Sequence, residues 1–129
     1  MKIRSLFTMV GVLLLLVVPV KAETGAISPQ SVVENMGAGW NLGNTLDAIP
    51  TEGSWNNPPV REETFDDIKE AGFESVRIPV TWTDHMGPAP NYVVEDAWMD
   101  RVEQVVDWAM DRDFYVVLNV HHDSWQWLI

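Results

Sequence analysis

Three short apolar runs, each ending in a polar cluster, recur along this chain at intervals of roughly forty residues. The clusters are Gly39-Trp-Asn-Leu-Gly-Asn-Thr-Leu-Asp47, Arg77-Ile-Pro-Val-Thr-Trp82 and Leu118-Asn-Val-His-His-Asp123. Successive strands of a β/α barrel present groups to a shared site in this way, because the polar residues at their C-terminal ends gather at one mouth. The pattern predicts an α/β architecture in which the chain supplies about three βα units, the N-terminal portion of a (β/α)8 TIM barrel. Such a barrel takes about 250 residues. The chain therefore reads as the opening part of a larger protein.

The segments between the clusters alternate in period. Ser28 and Pro29 are an N-cap and a first helical residue. They open a short helix that sets Val32, Val33 and Met36 on one side and ends at Gly37. Residues 38–42 are extended, and residues 43–59 form a loop. Residues 60–71 read as a helix burying Phe65, Ile68 and Ala71, with Gly72 just past its end. Residues 75–80 are a second strand. Trp98, Val102, Val105, Val106 and Ala109 keep helical spacing within residues 95–112. Glu95 and Asp96 lie in the first turn, where the helix dipole favours acids. Residues 114–120 are nearly all apolar, as in a parallel strand covered on both faces.

Strand alternation assigns the faces. With Val76, Ile78 and Val80 packed under helices, Arg77 and Pro79 point into the barrel. By the same rule Val116, Leu118 and Val120 share one face, and Val117, Asn119 and His121 face inward. An inward arginine needs a carboxylate or carbonyl partner. Neither the second nor the third strand offers one, so a later strand is the expected source, unless Arg77 merely bridges two strands. Asn119 is expected to be a satisfied polar group of the core. His121 and His122 are adjacent, which on a strand places them on opposite faces, and no third ligand stands at a metal-site spacing. No metal or other cofactor is expected. Trp82, Trp125 and Trp127 follow strands, where they stack on sugar rings or cover the barrel rim.

The N-terminus has Lys2 and Arg4, an apolar run from Leu6 to Val18, and Ala22 before the expected cut. This is the pattern of a secretory signal peptide over residues 1–22, and its run is shorter than the roughly 20 apolar residues a membrane span needs. Residues 23–129 then form the mature part. Losing Lys2, Arg4 and Lys21 leaves five basic against nineteen acidic residues, a net charge of −14. That surface repels nucleic acid and anionic lipid, so a neutral partner is expected, with no nucleic acid and no membrane after cleavage. The product is expected to be secreted and extracellular. It has no cysteine, hence no disulfide, and its 7 tryptophans point towards carbohydrate.

The four segments Gly39–Asp47, Thr51-Glu-Gly-Ser-Trp-Asn-Asn-Pro58, Ala71-Gly-Phe-Glu-Ser-Val-Arg-Ile-Pro-Val-Thr-Trp82 and Val117-Leu-Asn-Val-His-His-Asp-Ser-Trp125 resemble, in order and spacing, glycoside hydrolase family 5, the large cellulase family. The resemblance implies a retaining glycosidase on a (β/α)8 barrel, an endo-β-1,4-glucanase acting on a β-glucan such as cellulose. Relatives cleaving mannan or xyloglucan, and a non-catalytic glucan-binding remnant, are the alternatives. By resemblance Arg77 corresponds to the arginine that keeps the nucleophilic glutamate ionised, and His121 to the histidine beside the cleaved bond. Asn44, Asp47 and His122 match positions contacting sugar hydroxyls, and Trp82 and Trp125 are the aromatic candidates. Retaining chemistry uses two carboxyls about 5–5.5 Å apart. Both family glutamates would lie beyond residue 129. Glu52, Asp84 and Asp123 match neither, so the 129 residues alone are expected to be inactive. With two unpaired sheet edges, the mature segment alone is also expected to aggregate or to fold only in part.

Overall fold

The computed structural model describes residues 27–123, in the order α1 (Pro29–Asn35), β1 (Gly39–Asn41), α2 (Glu63–Glu70), β2 (Ser75–Val80), α3 (Asp96–Met110) and β3 (Tyr115–Val120). The signal-peptide segment, Trp125 and Trp127 lie outside the described residues. A single 3₁₀ turn, Thr83–His85, follows β2. The strands form one parallel sheet in chain order, β1-β2-β3. The register sets Asn41 beside Arg77 and Arg77 beside Val117, with Pro79 beside Asn119. The expected strand–helix alternation is thus present.

Local chemistry explains most of the boundaries. Ser28 caps α1, its hydroxyl accepting from the Ser31 amide at 3.1 Å, and Gly37 ends the segment at φ +52°. α1 buries none of its residues, so Val32 and Val33 have no core beneath them among the described residues. α2 begins three residues later than the sequence suggests. The Val60 amide donates to Glu52 and its carbonyl accepts from Arg101, which holds the chain out of a helix there. Ala71 is exposed rather than buried, because α2 stops at Glu70 and the chain turns away through Gly72 at φ +89°.

The core lies between the helices and the outer face of the sheet. Phe65 and Ile68 of α2, and Trp98, Val102, Val105 and Ala109 of α3, pack on Val76, Ile78 and Val80. Each valine, isoleucine or phenylalanine among them contributes about 1.5–3 kcal/mol on burial. The ion pairs of Arg112 with Asp66 and Glu62 join the end of α3 to α2. The Arg112 guanidinium holds the Asp66 carboxyl below the usual carboxylate range.

β3 departs from expectation. Leu118 is 46 % and Val120 56 % exposed, because the core reaches Val116 on that face and goes no further along the strand. Continuous apolarity records what the strand is suited to pack against. Among the described strands only β2 pairs with it.

Candidate active site

The site is built where the three strands end. Past β1 the chain turns, and the Asp47 carboxylate accepts from the Thr45 amide at 3.0 Å through Oδ1. Past β2 comes Thr81, which is buried. Its amide donates to the Leu46 carbonyl, and its hydroxyl lies 3.0 Å from the Asp47 carbonyl and 2.7 Å from that of His121. One hydroxyl therefore ties the backbone at the end of β1 to that at the end of β3. The sequence singles out Arg77 and Trp82 in this run and misses Thr81, whose burial is invisible until the strands are paired.

Arg77 stands on the inner face as expected, and among the described residues its hydrogen bond goes to a neutral acceptor on β1. Nη1 donates to Asn41 Oδ1 at 2.5 Å, across the register from β2 to β1. The parallel register sets Asn41 beside Arg77, a pairing that the sequence does not display locally. Asn119 also differs from a satisfied core polar group. Its Nδ2 donates to the Val120 carbonyl, while its buried Oδ1 has no hydrogen-bond partner among the described residues.

The two histidines do not point to opposite faces. His122 lies past the end of β3 with φ +62°, so strand alternation no longer governs it, and the two rings stand 4.1 Å apart between centroids. His122 Nε2 is 3.6 Å from Asp47 Oδ2. The edge of Trp55, from the loop after β1, meets the His122 ring at a centroid distance of 5.3 Å. Trp55 is a site neighbour that the sequence marks only as part of the loop segment Thr51–Pro58. Burial first, then the positive charges of His122 and Arg77, push the His121 ring below its ordinary pKa of 6.5, against the pull of Asp47 and Asp123. His121 is accordingly a neutral hydrogen-bonding ring at neutral pH.

The remaining candidates are spread around this cluster. Asn44 is exposed at φ +60°, and its side chain makes no hydrogen bond to another described residue. Trp82 is half-buried and packs against the core, while its amide donates to Asp123 Oδ1 at 2.9 Å. The same oxygen accepts from the amide and hydroxyl of Thr83 at 2.8 and 2.6 Å. Asp123 is 1 % and Asp47 3 % exposed, so both carboxylates are largely withdrawn from solvent. The cluster offers donors, acceptors and an aromatic edge for a polyhydroxylated ligand. It lacks a pair of accessible carboxyls.

The sequence signature of the cellulase family, glycosyl hydrolase family 5, matches residues 36–128. The chain belongs to that family. Endoglucanase B of Paenibacillus lautus is 48 % identical over 122 residues, which is 91 % of this chain and 22 % of that protein. A tri-modular family 5, subfamily 4 endo-β-1,4-glucanase from Bacillus licheniformis, solved with cellotetraose, superposes with a TM-score of 0.76 at 70 % identity, over 79 % of this chain and 20 % of that one. A family 5 xyloglucanase from Paenibacillus pabuli, solved with a ligand, gives 0.71 at 46 % identity over 74 % and 28 %. The chain thus spans less than a third of the length of these relatives. The open three-stranded sheet is part of the family 5 barrel.

Proposed function

We propose that this chain is the N-terminal part of a secreted, retaining endo-β-1,4-glucanase that binds a β-glucan such as cellulose. The observation that carries the reading is the convergence of Arg77, His121, His122 and Asp47 at the C-terminal ends of three parallel strands in a family 5 chain. In this reading Arg77 keeps a nucleophilic glutamate ionised, since a nearby guanidinium lowers a carboxylate's pKa. The neutral His121 ring hydrogen-bonds the sugar beside the cleaved bond. His122, Asp47 and Asn44 meet sugar hydroxyls, with Trp82 and Trp125 as stacking faces. The two catalytic carboxyls come from chain beyond residue 129, because the buried Asp47 and Asp123 serve to hold loops.

The test is hydrolysis by the full-length gene product of carboxymethyl cellulose, xyloglucan and mannan, compared at equal molar concentration. Shortening of the glucan with retention at the anomeric carbon is the expected result. Preferred cleavage of xyloglucan selects the second reading, which the likeness to the Paenibacillus pabuli enzyme favours. Binding to glucan without cleavage by the full-length protein overturns the enzyme reading. Residues 23–129 alone are expected to release no sugar, and the secreted product is expected to begin at Glu23, which N-terminal sequencing reads directly.

A further inference from the structure

Asp47, His121 and His122 bring metal-ligating atoms from the ends of β1 and β3 to within 4.8 Å of one another. Within this group His122 Nε2 and Asp47 Oδ2 are 3.6 Å apart. Zinc takes nitrogen at about 2.0–2.1 Å and carboxylate oxygen at about 2.0–2.2 Å, so neighbouring ligands of a tetrahedral ion stand roughly 3.4 Å apart. The Asp47–His122 pair already has that span. Closing the widest gap, from 4.8 Å at most to that spacing, needs a movement of no more than roughly 1.4 Å.

The positions are held from behind. Asp47 Oδ1 is occupied by the Thr45 amide, which leaves Oδ2 directed at His122. The Thr81 hydroxyl fixes the Asp47 backbone relative to that of His121. The Trp55 edge packs against the His122 ring. Supporting contacts of this kind orient the ligands of a metal site and set its affinity.

We infer that Asp47, His121 and His122 form a binding site for a divalent transition-metal cation of the zinc type, with its fourth position open to water. Two imidazoles and one carboxylate suit zinc, copper or nickel; calcium and magnesium prefer all-oxygen shells. The half-buried rings leave a path for the ion from the strand ends. A cation seated there blocks the place assigned above to a sugar, a consequence that rests on the glucan reading. The binding itself does not.

The experiment is calorimetric titration of the full-length protein with zinc chloride, and separately with calcium chloride, at neutral pH. Cobalt(II) absorption is recorded on the same protein. One zinc per chain, binding well above any calcium response, and a tetrahedral cobalt spectrum are expected. His122→Gln and Asp47→Asn should each weaken zinc by about tenfold or more. Zinc binding no stronger than calcium, or unchanged in both variants, overturns the proposal by assigning the response to the acidic surface. Should a variant fail to fold, the wild-type cobalt spectrum decides: an octahedral, all-oxygen spectrum refutes the site. A protein that binds zinc and, freed of metal by chelator, cleaves no glucan refutes the function proposed above and leaves this site standing.

Discussion

Arg77 of β2 donates a hydrogen bond to the side-chain carbonyl of Asn41, its neighbour across the parallel register in β1. A neutral acceptor orients the guanidinium and leaves its charge uncompensated. That charge is then available to a carboxylate facing the same side of the sheet, where an arginine typically lowers the carboxyl pKa by about 1–3 units. A carboxylate at position 41 would consume the charge locally.

Asn41→Asp in the full-length protein is therefore expected to keep the fold and lower kcat on glucan by on the order of tenfold, equivalent to about 1.4 kcal/mol in the barrier. Asn41→Ala removes the acceptor instead, and is expected to cost about 1.5–3 kcal/mol of stability, as for a hydrogen bond to a charged group. Comparing kcat with the denaturation midpoint separates the two effects. Equal activity in Asn41→Asp and the wild type would show that the charge of Arg77 is not used.

Asp123 fastens the loop after β2 to the end of β3 through one oxygen that accepts three hydrogen bonds, two of them from backbone amides of Trp82 and Thr83. Asp123→Ala leaves those amides buried without an acceptor and is expected to cost about 3 kcal/mol. Asp123→Asn retains an oxygen and is expected to cost nearer 1 kcal/mol. Urea denaturation of the full-length variants measures both, and equal losses would contradict the role given to this oxygen.

Glu52 and Arg101 hold the loop that carries Trp55. Glu52 accepts from Arg101 Nε and Nη2 at 2.9 and 3.0 Å and from the Val60 amide at 2.8 Å, and Arg101 Nη2 also donates to the Val60 carbonyl at 2.7 Å. The pair is bidentate and largely buried, unlike the exposed pairs that contribute little. Glu52→Gln and Arg101→Lys are each expected to destabilise by about 1–3 kcal/mol. Because they remove one shared network, their losses should not add. A double-mutant cycle on thermal unfolding checks this, and strict additivity would disprove the coupling.

The sequence was most legible where a periodic rule applied to its full extent. β2 spans the residues that alternation and Gly72 mark out, and Arg77 lies on the face that parity assigned. Legibility failed where a residue's surroundings come from elsewhere in the chain. Asn41 becomes a partner only through the register. His122 escapes alternation because one positive φ at the strand end turns its ring back beside His121. Thr81 and Trp55 act through contacts made in space, which no local pattern encodes.

His121 couples this site to pH. Its ring is pushed below the ordinary value of 6.5, by burial foremost and then by His122 and Arg77. The unfolded chain therefore binds a proton that the folded protein refuses between the lowered value and 6.5. Stability rises with pH wherever the unfolded state holds more protons. The contribution is complete above 6.5 and is lost as pH falls through the lowered value. In the full-length protein the thermal midpoint should thus fall from neutral to mildly acidic pH, and His121→Gln, which cannot titrate, should flatten that part of the profile. The ring's own titration by NMR gives an independent reading below 6.5. A ring that titrates above 6.5 would mean that Asp47 and Asp123 outweigh burial, and the variant would then change the profile in the opposite sense.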